Sequence, residues 1–176
     1  MNRRQAIERV SLLLGGLISA PALAGINDQR TWFGPSVLVT PEQEVLLAEL
    51  ADVIIPTTTT PGAKAAGVQQ FIVRVMQDCY EMPKQERFYA GLATVETDSK
   101  TQFGSGFAAL DAAQKIALVT QLMARDKPFF LTLKELTVAG YFTSEIGATK
   151  ALAYLPVPGR LDGCVPLEKG QKAWQL

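Results

Sequence analysis

The stretch VQQFIVRVMQDC, residues 68–79, constrains the fold more than any other in this chain. Val68, Phe71, Ile72, Val75, Met76 and Cys79 recur at i, i+3, i+4, i+7, i+8 and i+11, which is one apolar stripe along a helix. Such a stripe is stable only when other apolar faces cover it, so the rest of the chain has to supply them.

It supplies them at the same period. Thr40-Pro41-Glu42-Gln43 sets an N-cap threonine, a proline at the first helical position and a capping-box glutamine ahead of Leu46, Leu47, Leu50, Val53 and Ile54. Pro56 ends that helix, and TTTTPGAKAAG follows as a turn-rich connector. Beyond the striped helix, a third begins near Pro83 and uses Phe88, Leu92 and Val95. Asp111 with Gln114 caps a fourth, carrying Ile116, Val119, Leu122 and Met123. A fifth starts near Pro128 and runs through Phe130, Leu133, Leu136 and Val138 toward Glu145. Few segments alternate with period two, and no internal repeat is present. After Ala153 the tail, YLPVPGRLDGCVPLEKGQKAWQL, is rich in proline and glycine. The expected fold is an all-α helical bundle of about five helices with a long irregular C-terminal arm over about 153–176.

The N-terminus reads differently. In MNRRQAIERVSLLLGGLISAPALAGIN, Arg3 and Arg4 precede an apolar run from Val10 to Leu23, broken by Ser11, Gly15, Gly16, Ser19 and Pro21. As a helix that run would span ~21 Å against a hydrocarbon core of ~30 Å, too short for a comfortable membrane span. Ala22-Leu23-Ala24 offers a small-residue cleavage site, with Gly25 as the mature start. The paired arginines fit a twin-arginine export signal, although Ala6 and Glu8 stand where strong signals carry a large apolar residue and a lysine. The expectation is a signal peptide over 1–24, one helical domain over 25–176, and a periplasmic destination. The twin-arginine route carries folded proteins, commonly because a cofactor is inserted first, so the next question is which cofactor is involved.

Loss of residues 1–24 takes three of the 17 basic and one of the 17 acidic residues, leaving 152 residues with 14 basic and 16 acidic. No basic excess remains to neutralise phosphates, which argues against nucleic-acid binding. No later apolar run approaches ~18 residues, so contact with a membrane would come through a partner. Histidine is absent, and with it the commonest general base, the commonest transition-metal ligand and the usual triads. Cys79 and Cys164 alone cannot build a structural zinc site or hold an iron–sulfur cluster.

Gly104-Ser105-Gly106-Phe107-Ala108-Ala109 matches a relaxed dinucleotide fingerprint, but its lead-in TDSKTQF is polar and strand-poor, so an interhelical loop is the better reading. Among carboxylates, Asp111 is explained as a cap, Glu135 as a solvated helix residue, and Glu145 is the least explained; none has a partner in sequence. For the cysteines two readings stand: an internal Cys79–Cys164 disulfide, or a buried Cys79 acting as a small hydrophobe. The segment from Tyr141 through the arm mixes aromatics with an arginine and rigid prolines. Such irregular arms are uncommon unless functional or packed, and aromatics and arginine concentrate interface energy. Two readings stand: the arm folds back over the bundle, or it meets a partner through Tyr141, Phe142, Glu145, Tyr154, Arg160 and Trp174.

Three segments carry a family resemblance: LAELADVIIPTTTTPGAKAAGVQQFI, the DCY ahead of a charged helix, and GYFTSEIGATKALAYLPVPGRLDGCVP. From about Leu46 to Pro166 the chain resembles the gluconate 2-dehydrogenase subunit 3 family. The resemblance implies a non-catalytic small subunit beside a large flavoprotein of the glucose–methanol–choline type, which binds FAD and oxidises a sugar, polyol or sugar acid. In such complexes a cytochrome c subunit with haem c commonly accepts the electrons and holds the assembly to the membrane. The family transfers no catalytic, cofactor-binding or metal residue to this chain. The competing reading is a stand-alone periplasmic enzyme or ligand-binding module with a pocket near Tyr141 to Glu145.

Overall fold

A computed structural model describes residues 37–155 and, within the arm, residues 157, 159, 164, 166, 167 and 169–175. The signal segment with Arg3 and Arg4, and Arg160 in the arm, lie outside the described residues.

The first helix, α1 (Pro41–Ile54), starts as its sequence dictates. The Thr40 hydroxyl accepts from the Gln43 amide at 3.3 Å, and the Thr40 amide donates to Gln43 Oε1 at 3.0 Å. Leu46, Leu47, Leu50 and Ala51 are its buried face. The connector that follows is tied down rather than loose. The Ala63 amide bonds Ile55 O at 2.9 Å, and the Gly62 amide donates to the Thr57 hydroxyl at 2.9 Å.

The striped segment is α2 (Val68–Cys79), with Val68, Ile72 and Met76 fully buried. Cys79 departs from expectation: it is exposed, because the core ends at Met76 and Cys79 is the last helical residue. Tyr80 and Glu81 turn the chain into α3 (Met82–Phe103), which buries Phe88, Leu92 and Val95. Gly104, at φ 72°, closes that helix in the left-handed conformation open to glycine. A 3₁₀ turn over Phe107–Ala109 leads to α4 (Ala112–Arg125), opened by the Asp111–Gln114 capping box. Asp126 then ends α4 and caps α5 (Lys127–Thr143), its carboxylate accepting the Phe129 amide at 3.2 Å.

On α4 the buried residues are Leu118 and Leu122, whereas Ile116 is 58 % and Met123 49 % exposed. The helix is rotated from the face its apolar period suggested. On α5, Phe129, Leu133, Leu136 and Tyr141 are buried, while Val138 stays partly open and Phe130 packs at the edge of the core. α2 lies against both α1 and α5, so its stripe is covered by the two helices that also touch α3 and α4. The described chain is an all-α bundle, as expected.

Candidate partner-binding surface

α5 does not run on to Glu145. Ser144 interrupts it: its hydroxyl donates to Tyr141 O at 2.6 Å and accepts the Gly147 amide at 3.0 Å. The chain then folds so tightly that a Cβ on Gly147 would lie 1.8 Å from Tyr141 O, a position only glycine tolerates. A short π-helical turn, Gly147–Ala151, follows, with Ala151 packed against the core.

The arm is not wholly irregular. Ala153–Tyr154 (β1) pairs in parallel with Trp174–Gln175 (β2), so the end of the arm returns to its beginning. The Ala153 amide donates to Ala173 O at 2.8 Å, and Lys172 Nζ donates to Lys150 O at 2.5 Å. Tyr154 is left 50 % and Trp174 59 % exposed, and Val157 and Leu167 are also exposed. Tyr and Trp are residue types enriched at protein interfaces.

Of the expected interface residues, Tyr154, Trp174 and Glu145 are all exposed, but the register sets Trp174 opposite Ala153 and Tyr154 opposite Gln175, so the two aromatics take alternate positions of the ribbon rather than one face. Tyr141 is not at the surface. It is 2 % exposed, and its hydroxyl donates to Pro61 O at 2.8 Å, which fastens the connector to α5. Its ring is aromatic core rather than anchor, because the last turn of α5 faces the connector and not solvent. Phe142 is half-buried edge-on against it, 5.2 Å between centroids. The same burial argues against a ligand pocket opened by Tyr141.

A cavity of about 550 Å³ lies elsewhere, between α1, α3 and the 3₁₀ turn. Leu46 and Leu92 form its floor, Ala93, Ala108 and Ala109 its walls, and the Glu96–Lys100 ion pair its polar end. The Gly-rich motif is part of this wall. It follows a helix, not a strand, so its glycines do not form a phosphate cradle. Gly106 instead lets Glu96 approach: a Cβ there would sit 2.7 Å from Glu96 Oε1, while Glu96 Oε2 accepts the Phe107 amide at 3.2 Å.

The one strongly organised charge cluster among the described residues was not visible in sequence. Glu49, on α1, accepts from Lys64 at 2.5 Å and from Lys115 at 2.7 Å, joining α1, the connector and α4. Burial by itself raises the Glu49 pKa, but the hydrogen bonds from Lys115 and Lys64 and their positive charges together outweigh it and hold the carboxyl below its ordinary value. Both lysines neutralise it, so this is a clamp and not an acid–base centre. Asp111 is occupied as a cap, and Glu135 and Glu145 are both exposed. Buried Tyr89 has its phenol pushed up to about 12 by desolvation and so stays protonated. Cys79 is a free thiol at the surface, so the structure does not contain the Cys79–Cys164 disulfide. Among the described residues, no group of three or more His, Cys, Asp or Glu side chains is placed to hold a metal, and no helix is long and apolar enough to cross a membrane.

The family model described as gluconate 2-dehydrogenase subunit 3 matches residues 41–159, from the first residue of α1 into the arm. No curated protein and no solved structure matches the chain.

Proposed function

The chain belongs to the gluconate 2-dehydrogenase subunit 3 family, and from that premise we propose that it is the non-catalytic small subunit of a periplasmic FAD-dependent dehydrogenase acting on a sugar, polyol or sugar acid. In this reading the FAD belongs to the large subunit, haem c to a cytochrome c subunit where one is present, and this chain serves as structural partner and folded-export escort. The observation that carries the reading is the extent of the family match, which covers the whole bundle and reaches the arm. The exposure of Tyr154 and Trp174 on the arm supports it, since both residue types are enriched at protein interfaces. The paired arginines at positions 3 and 4 support the export role.

The test is co-expression with the large flavoprotein subunit of the same organism. The two should co-purify with a flavin spectrum that this chain lacks alone. Arg3→Lys with Arg4→Lys should leave both subunits in the cytoplasm if the large subunit has no signal of its own. A large subunit that still reaches the periplasm would defeat the escort role, and turnover by this chain alone would defeat the non-catalytic one.

A further inference from the structure

A second, smaller concavity lies where the first turns of α3 and α5 meet the end of α2. It has a volume of about 150 Å³ and is lined by Met76, Tyr80, Lys84, Arg87, Phe88, Pro128, Phe129 and Thr132. The floor is core: Met76, Phe88 and Phe129 are buried, and the two phenyl rings lie 5.3 Å apart. The rim is cationic. Lys84 and Arg87 stand three residues apart on α3, the spacing that puts two side chains on one side of a helix.

Neither cation has an anion of its own. The four ion pairs among the described residues use Lys64, Lys100, Lys115 and Arg125. No carboxylate lines the concavity. Nearby, Asp126 is engaged in capping the Phe129 amide, and Glu81 is exposed at the N-cap of α3 without a capping bond. The N-terminal turns of both α3 and α5 contribute lining residues, which adds to the positive potential there. An exposed guanidinium beside an ammonium, over an aromatic floor, is suited to a carboxylate that arrives with apolar surface attached.

Size selects the kind of occupant. Pockets that enclose small molecules run from ~300 to ~1,000 Å³, and this one is about half the lower bound. It seats one side chain, the scale of an interface anchor pocket.

We infer that this concavity docks an acidic segment of the large flavin-binding subunit, which seats one apolar or aromatic side chain on Met76, Phe88 and Phe129 and sets an Asp or Glu against Lys84 and Arg87. The inference rests on the accessory-subunit reading above and adds a second point of attachment to the arm.

The test uses the full chain co-expressed with the large subunit, then separated and re-associated by titration. Lys84→Glu with Arg87→Glu should weaken association at least ~30-fold and flatten its dependence on salt. Thr132→Trp, which keeps both charges but fills the mouth, should also weaken it. The melting temperature of the isolated chain should move by no more than ~3 °C, since these side chains are at the surface. If charge reversal does lower it further, Lys84→Gln with Arg87→Gln decides the matter, with a loss of ~10-fold expected. A complex whose affinity stays within about threefold in every variant overturns the docking site and leaves the subunit reading standing. Failure of the unaltered chain to form any complex overturns both.

Discussion

At the scale of single residues, the bundle depends on Glu49 more than its position in the sequence suggests. One carboxylate, 14 % exposed, holds two lysines from different parts of the chain. Its pKa is below the ordinary 4.5 in the folded protein. A group with a depressed folded pKa stabilises above its unfolded pKa, and that contribution is lost as pH falls through the folded value. Glu49→Gln, which keeps the shape, should therefore cost about 1–3 kcal/mol near neutrality. The gap between variant and parent should close as the pH drops below about 4.5, read from urea unfolding at a series of pH values. A gap constant from neutral to acid pH would mean that geometry rather than charge matters there. Local devices such as the Thr40 and Asp111 caps were legible because donor and acceptor are three residues apart. Glu49 was not, because its partners lie 15 and 66 residues away.

At the scale of elements, helix existence followed from the sequence at all five places, and helix rotation did not always. α2 has one apolar stripe and no second choice of face. α4 is different: Ile116-Ala117-Leu118-Val119 is apolar all round, so period alone cannot choose the buried side. The decision comes from Lys115. Its side chain is only 15 % exposed because Glu49 receives it, and Lys115, Leu118 and Leu122 therefore form the inner line. A half-buried lysine on the inner line breaks the very pattern by which a core face is recognised. Leu118→Ala should cost about 2–4 kcal/mol by opening a cavity, and Ile116→Ala should stay within about 0.5 kcal/mol. Denaturant unfolding of the two variants side by side checks the assignment. Equal losses would put the helix back in the rotation its sequence suggested.

At the scale of the whole molecule, the question is which surface faces the partner and which residues only hold the chain together. Tyr141 and Tyr154 separate the two cases. Both are aromatic, both were expected at the interface, and the strand pairing that distinguishes them is only two residues long on each side. So short a pairing leaves no alternating pattern to read in sequence. Tyr141 is buried with its hydroxyl bonded to Pro61 O, so Tyr141→Ala should destabilise the isolated chain by about 3–5 kcal/mol. Tyr154 and Trp174 are half exposed, so Tyr154→Ala and Trp174→Ala should leave the isolated chain's unfolding within about 1 kcal/mol of the parent. If the arm is an interface, each should instead weaken association with the large subunit by about 2 kcal/mol or more, roughly 30-fold, as truncation of a buried aromatic anchor does. Calorimetric titration alongside melting of each variant gives both numbers. Should Tyr154→Ala and Trp174→Ala melt the isolated chain as strongly as they weaken the complex, the returning arm is part of the fold, and the attachment to the partner would have to rest on the Lys84–Arg87 concavity alone.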